Sequence, residues 1–437
     1  MKIKKLLKEM QSTSGENMQS INVFGLGRLG LPLALHLADK GYDVTGIDIN
    51  DKLIRKVKDG HMPFYEPETD ELIKNKRFTA TKDAEKALSN SQTSMIFVGT
   101  PNEDGIPLNP KYVRQVGSQI GRAIKGMKDY HLVVLRSTVF PRETRNLVRI
   151  LEEQSGKKCG KDFGVCHNPE MLALGRVIQD LSNPKMVIIG QSDTYAGDKL
   201  TEIYKKSTDN KPQIFRTTFE NAELAKVMIN NYVTMKLNFA NLMGRISSIT
   251  PGTNPDELSR ILGADPRIGS QFFKAGASYG GTCFPRDNDA LRYMMNQLGM
   301  DPSFPDQLIK MNQDTVNEIA NEVQRKTYNL QGTKATVMGI GFKADTDVIE
   351  KSPSIAVADE LHKRGYKVTL QGTLGMTSAM SKYGDKFKFE IDMYKSAHGA
   401  DACVFTLESP EYRKTDISRI KSKMRTPIIV DPWRMFK

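Results

Sequence analysis

Ile21-Asn22-Val23-Phe24-Gly25-Leu26-Gly27-Arg28-Leu29-Gly30 decides the fold of this chain. A short, mostly apolar strand runs into a Gly-x-Gly-x-x-Gly turn, and Leu31 to Lys40 then carries helical periodicity up to Gly41. A second strand, Tyr42 to Ile47, closes on Asp48, about twenty residues past the turn. The glycines allow a tight turn, close approach of a pyrophosphate to the backbone and close packing of the helix. Asp48 can bind a ribose 2′-hydroxyl. Gly25, Leu26, Gly27, Arg28, Leu29 and Gly30 are therefore candidate dinucleotide contacts. An aspartate at position 48 favours NAD over NADP, whose extra phosphate it would repel.

The same alternation continues outward. Ser94-Met95-Ile96-Phe97-Val98 and His131-Leu132-Val133-Val134-Leu135 read as buried strands with polar tips, Gly99-Thr100-Pro101 and Arg136-Ser137-Thr138. Strands alternating with helices imply a parallel sheet covered on both faces. From about Asn221 to Leu262 the pattern is helical, with no proline before Pro251. Beyond Gly332, Ala335 to Met338 leads into Gly339-Ile340-Gly341, and strands at Tyr366 to Leu370, Ala402 to Thr406 and Ile428 to Val430 follow. Gln313 to Thr327 reads as a polar, helix-compatible connector. The expected fold is α/β, with two Rossmann-like parallel-sheet domains joined by a central helical domain. The expected divisions are a loose extension over 1–17, a dinucleotide domain over 18–218, a helical domain over 219–318 and a second α/β domain over 319–437.

A chain of 437 residues exceeds what one core usually organises. The net charge of +12 suits an anionic partner. After Lys2-Ile3-Lys4-Lys5, however, the basic residues are dispersed, with no RNP pattern and no finger spacing, which argues against nucleic acid. No run of about 18 apolar residues could span a bilayer, and the N-terminal stretch is too short in its apolar part for a signal peptide, so a soluble, cytoplasmic protein is expected. Cys159, Cys166, Cys283 and Cys403 are scattered, and His36, His61, His131, His167, His362 and His398 share no ligand spacing. Neither a disulfide framework nor a metal site is expected. Asp345-Thr346-Asp347 lacks the other ligands of a calcium loop and reads as a turn.

Tyr279-Gly280-Gly281-Thr282-Cys283-Phe284-Pro285-Arg286-Asp287 places a thiol on a glycine hinge with a cation and a carboxylate behind it. That composition fits a reactive cysteine whose thiolate Arg286 would favour, and equally a buried structural one. Lys226 and Asn230 stand four apart on one helical face, as an oxyanion-stabilising pair or as a surface pair. Glu170, after the strand-like Phe163-Gly164-Val165, is either a general acid/base at a strand tip or an ordinary loop glutamate.

Taken together, the residues resemble the UDP-glucose/GDP-mannose dehydrogenase family from Met18 to Trp433. The family's pieces occur in order: Gly25 to Gly30; Met62-Pro63 and Glu66-Pro67; Val98-Gly99-Thr100-Pro101; Ser137-Thr138-Val139; Asn168-Pro169-Glu170; Ala222-Glu223 with Lys226 and Asn230; Lys274 to Asp287; and Gly341-Phe342-Lys343 with Asp345-Thr346-Asp347. The resemblance implies NAD as cofactor, a nucleotide-sugar substrate bound by the C-terminal domain, and a homodimer formed through the central helices. It implies oxidation of a sugar C6 alcohol to a carboxylate through a thiohemiacetal and a thioester on Cys283. Lys226 and Asn230 then look like the oxyanion pair, Thr138 and Asp287 like residues that hold a water or relay protons, and Glu170 like the residue for thioester hydrolysis. Arg267, Lys274, Tyr279, Gly280, Phe342 and Lys343, with Glu170, Lys226 and Asn230, match substrate positions. Asp48, Thr100 and Ser137 match NAD positions.

Four positions depart from the pattern. Leu174 replaces a frequent second glutamate, and Leu174-Gly175-Arg176 is similar to the branch acting on 2-acetamido sugars. Arg286 stands where lysine is usual, Glu350 where an arginine is expected to reach NAD, and Trp433 where a sugar-binding arginine is expected, with Arg434 next to it. The expected activity is UDP-glucose 6-dehydrogenase. The alternatives are a UDP-N-acetylmannosamine, UDP-N-acetylglucosamine or GDP-mannose 6-dehydrogenase, an inactive nucleotide-sugar-binding protein, and a two-electron hydroxyacid dehydrogenase.

Overall fold

A computed structural model describes residues 20–330 and 333–436, so the extension expected over 1–17 lies outside the described residues. The chain clusters into two compact units. One holds the described residues up to Asp104 together with Leu108–Lys226, and the other holds Gly105–Pro107 and the residues from Val227 onward.

The first unit is built on eight strands: β1 (Ser20–Phe24), β2 (Asp43–Ile47), β3 (Phe78–Thr81), β4 (Thr93–Ile96), β5 (His131–Leu135), β6 (Phe163–His167), β7 (Met186–Gln191) and β8 (Gln213–Thr217), in the order β3-β2-β1-β4-β5-β6-β7-β8. β4, β5 and β6 are buried along their whole length, the burial that a sheet covered on both faces demands. Helix α1 (Gly30–Asp39) lies in the main core of this unit, with Gly30 through Ala38 all buried. One junction departs from the expected parallel sheet. β7 runs antiparallel to β6 and overlaps it only through Cys166–Gln191 and His167–Gly190. The segment that follows β6 therefore leaves at the carboxyl edge of the sheet, where ligands of such sheets bind.

Helix α2 (Glu143–Ser155) follows β5, the short helix α3 (Val177–Ser182) follows β6, and α4 (Phe219–Ile249) begins two residues after β8. The expected helical run to Leu262 is interrupted at Thr250-Pro251-Gly252, where Gly252 takes φ +80°, and resumes at Pro255–Gly263. Proline and glycine together explain the break.

The second unit continues with helices α5 (Phe284–Gln297) and α6 (Ser303–Lys326). A five-stranded, all-parallel sheet follows: β9 (Lys334–Met338), β10 (Lys367–Gln371), β11 (Lys388–Glu390), β12 (Ala402–Phe405) and β13 (Ile428–Val430), in the order β11-β10-β9-β12-β13. The segment expected as a polar connector, Gln313 to Thr327, is largely the second half of α6. Its Val316, Ile319, Ala320 and Val323 join Ile355, Ala358 and Leu361 of α7 (Pro353–Lys363) in the core of this sheet. Polar residues dominate the segment's composition, but its apolar positions fall on one helical stripe.

Candidate active site

The three fingerprint glycines do different work. Gly25 takes φ +93°, and a Cβ there would stand 2.6 Å from the Phe97 carbonyl oxygen. A Cβ on Gly30 would meet the Gly25 carbonyl oxygen at 2.0 Å. Gly27 is exposed and a Cβ on it would meet nothing within 4 Å. The outer glycines are thus required by the turn, while Gly27 leaves its backbone open to a ligand. Asp48 accepts from the Leu26 amide at 2.8 Å and the Asn50 amide at 2.9 Å, which holds its carboxylate beside the turn. Arg28 lies over the Phe64 ring at 5.1 Å. The Thr100 hydroxyl donates to the Thr138 carbonyl at 2.9 Å and the Ser137 hydroxyl to the Val98 carbonyl at 2.7 Å, lacing the tips of β4 and β5 together. An open glycine turn at a helix start with a carboxylate fixed next to it fits NAD.

At the tip of β6, Glu170 is buried. Its Oε2 accepts from the Leu172 amide at 2.7 Å, and its Oε1 lies 3.4 Å from the Lys226 ammonium, both side chains being 5% exposed. Lys226 and Asn230 share one face of α4, as their spacing requires. Three residues before Lys226, Glu223 accepts from the Thr144 amide at 2.7 Å, the Thr144 hydroxyl at 2.6 Å and the Arg142 amide at 2.8 Å. Burial raises its pKa above the ordinary carboxylate range. The start of α4 is thereby tied to the start of α2, which follows the loop bearing Ser137 and Thr138.

In the second unit, Cys283 is half-buried at the N-cap of α5, where its carbonyl accepts from the Asp287 amide at 2.8 Å. The Thr282 hydroxyl is 3.6 Å from its sulfur. Asp287 is fully buried; its carboxylate accepts from Asn230 at 2.6 Å and from Arg286 at 3.2 Å. Arg286 therefore forms an ion pair with Asp287, the next residue in the chain. Gly281 takes φ +82° and donates its amide to the Glu350 carbonyl at 3.1 Å; a Cβ on it would press into the Phe342 ring at 2.7 Å. On Gly280 a Cβ would lie 2.0 Å from the Lys351 carbonyl oxygen. The other thiols sit in different surroundings. Burial raises the pKa of Cys159 and Cys166 and pushes that of Cys403 up to about 12.

Of the sequence-predicted sugar contacts, Tyr279 is committed inward. Its hydroxyl accepts from Asn288 at 2.6 Å and reaches the Leu308 carbonyl at 3.3 Å. Lys274 pairs with Glu408 at 2.8 Å and lies 5.8 Å from the Trp433 ring, and Lys343 lies 6.0 Å from the Phe342 ring. Trp433 covers Gly276, where a Cβ would meet its ring at 2.2 Å, while Arg434 turns to Asp256 at 2.8 Å. Arg267 is exposed and paired with Asp265 at 2.6 Å. Three residues that the sequence leaves without a role hold backbone in place: Glu66 at Gly175 and Val177, Glu223 at Arg142 and Thr144, and Asn312 at Tyr279. Asn312 clamps the Tyr279 backbone, accepting from its amide and donating to its carbonyl, each at 2.9 Å. A lone asparagine in a helix carries no motif, although Glu66 and Glu223 stand inside ones.

Comparison with known proteins places this geometry. Residues 19–208 match the NAD binding domain of the UDP-glucose/GDP-mannose dehydrogenase family, 220–314 its central domain and 336–437 its UDP binding domain. The UDP-glucose 6-dehydrogenase of Rhizobium meliloti is 32% identical over 95% of each chain, and the GDP-mannose 6-dehydrogenase of Pseudomonas aeruginosa 34% identical over 80% of each. Among solved structures, a UDP-glucose dehydrogenase from Pyrobaculum islandicum superimposes with a TM-score of 0.86 at 27% identity, covering 96% of this chain and 98% of its own. With NAD as its cofactor, the chain belongs to the UDP-glucose/GDP-mannose dehydrogenase family of nucleotide-sugar 6-dehydrogenases.

Proposed function

We propose that this protein is a UDP-glucose 6-dehydrogenase that oxidises the C6 alcohol to a carboxylate, forming UDP-glucuronate. The observation that carries the reading is Cys283, half-buried on a glycine hinge at the start of α5, beside the buried Asp287–Asn230 pair. NAD supplies the hydride acceptor in both oxidations. Gly25 to Gly30, Asp48, Thr100 and Ser137 would hold it.

The Cys283 thiolate adds to C6 of the intermediate aldehyde and makes a thiohemiacetal, which can lose a second hydride where a free aldehyde could not readily do so. Lys226 and Asn230 stabilise the oxyanion, each worth about 3–4 kcal/mol in a dry site. Loss of that hydride leaves a thioester. Water then adds to the thioester carbon, the carbon–sulfur bond breaks, the thiolate departs, and Glu170 accepts the proton from water. Thr138 and Asp287 serve as water-holding and proton-relaying groups, while Arg267, Lys274, Gly280, Phe342 and Lys343 contact the nucleotide sugar. Because the Tyr279 hydroxyl is bonded inward, we assign that residue to shaping the loop rather than to a hydroxyl contact.

A homodimer through α4 is part of the same proposal. Met228, Tyr232, Phe239, Ile246 and Ile249 are 44%, 54%, 53%, 55% and 82% exposed along one side of that helix, an apolar stripe that a second copy would cover. Among the described residues no helix is long and apolar enough to cross a membrane, and use of NAD with a nucleotide sugar supports a cytoplasmic location.

The test is to supply UDP-glucose, GDP-mannose and UDP-N-acetylmannosamine separately and count NADH released per sugar consumed. Two NADH from UDP-glucose supports the proposal. Turnover of UDP-N-acetylmannosamine alone would transfer the assignment to the branch suggested by Leu174-Gly175-Arg176. One NADH per substrate would indicate a two-electron enzyme, and none with any sugar a binding protein.

A further inference from the structure

Glu66 is 5% exposed and lies more than a hundred residues from the loop it serves. Its Oε2 accepts from the Gly175 amide and its Oε1 from the Val177 amide, each at 2.9 Å. Both oxygens thus fasten the far end of the loop that carries Glu170, just where Gly175 takes φ +82° and α3 begins. The near end is fastened by Asn168, which accepts from Arg136 at 2.5 Å and donates to the Ile188 carbonyl at 2.8 Å. Two residues past Glu66, Glu68 accepts from Gln179 of α3 at 2.7 Å. The same turn reaches the cofactor loop, because Phe64 lies under Arg28.

A loop of coil between two anchors keeps the position its anchors dictate. Charged acceptors on backbone amides are the stronger kind of anchor.

We propose that Glu66 is a positioning residue for Glu170, holding its loop in the place required for hydrolysis of the Cys283 thioester. This rests on the four-electron reading above. In the Glu66→Ala chain both oxidations proceed and Cys283 is acylated, but water attacks a thioester whose base is displaced, and a displacement of about 1 Å can cost roughly 100-fold. Glu66→Gln keeps one acceptor oxygen and should restore part of the rate.

The experiment is rapid-mixing NADH release with intact-mass analysis of the full chain, using whichever of UDP-glucose, GDP-mannose or UDP-N-acetylmannosamine the native protein oxidises. The expected result for Glu66→Ala is a burst approaching two NADH per site, a steady rate roughly 10–100-fold below native, and accumulation of a uronyl adduct on Cys283, with Glu66→Gln intermediate. If the alanine variant does not fold, the glutamine variant decides, since it should show the burst and the adduct to a smaller degree. A folded variant with native steady rate and no adduct overturns the proposal alone, as does equal loss of burst and steady rate. Release of one NADH per sugar by the native protein overturns the four-electron reading and this proposal with it.

Discussion

The carboxamide of Asn230 donates to the carboxylate of Asp287 at 2.6 Å, and Asp287 has no exposure to solvent. The bond joins α4 to α5 four residues after Cys283. Asn230→Ala leaves a buried carboxylate short of a donor and should cost about 1–3 kcal/mol of stability. As an oxyanion donor is lost as well, kcat should fall about 100-fold or more. Thermal melts and steady-state kinetics measure both. Asn230→Asp, which sets two carboxylates together, should be worse than alanine, and equal stability of native and Asp variants would refute the reading.

Cys283→Ser should abolish formation of the carboxylate while UDP-glucose binding stays within about threefold, because the thiol enters the chemistry rather than recognition. Calorimetry and product analysis separate the two. Wild-type yields of acid from the serine variant would exclude a thioester.

Glycines 27 and 30 should respond oppositely to alanine. Gly30→Ala drives a Cβ into the Gly25 carbonyl and should lower the melting temperature by several degrees. Gly27→Ala meets open space, so the melt should not change, while affinity for NAD should fall about tenfold, roughly 1.4 kcal/mol. Unchanged NAD affinity in the Gly27 variant would remove it from the cofactor site.

Two buried histidines should make the protein acid-sensitive. Burial holds His131 down to about 4 and His167 to about 3, against 6.5 when exposed. Both stay neutral in the folded state while the unfolded chain binds protons. Their contribution is therefore present above pH 6.5 and is lost as pH falls toward 4 and then 3, at about 1.4 kcal/mol per pH unit for each histidine. Urea midpoints at pH 7.5 and 5.0 should differ accordingly, and His131→Gln should flatten the slope.

Tyr232→Glu and Ile246→Glu place charge on the apolar stripe of α4. Light scattering should show a dimer for the native chain and a shift toward monomer for the double variant. A native monomer at micromolar concentration would overturn the dimer proposal.

The start of the first sheet is legible because Gly25, Gly27, Gly30 and Asp48 mark β1 and β2 locally, where turn geometry restricts residue type, whereas β3, β7 and β8 carry no such mark. The strands at Ala335, Ala402 and Ile428 were legible as buried apolar runs. What composition concealed was long-range. Val316, Ile319, Ala320 and Val323 lie among polar neighbours, and their membership of the second core depends on residues far along the chain. Arg286 pairs with Asp287, its neighbour in the chain, a bond that sequence shows only as two adjacent opposite charges. Glu66 was part of a recognised motif, but its task lies with Gly175 and Val177, which no local pattern can announce.

The unequal surroundings of the four thiols have a practical use. Cys159, Cys166 and Cys403 are shifted away from thiolate by burial, so mild alkylation near neutral pH should leave them largely untouched. One label per chain, taken up at Cys283 and blocked by bound nucleotide sugar, would then count competent molecules in any preparation, without a turnover assay and before the natural sugar is known.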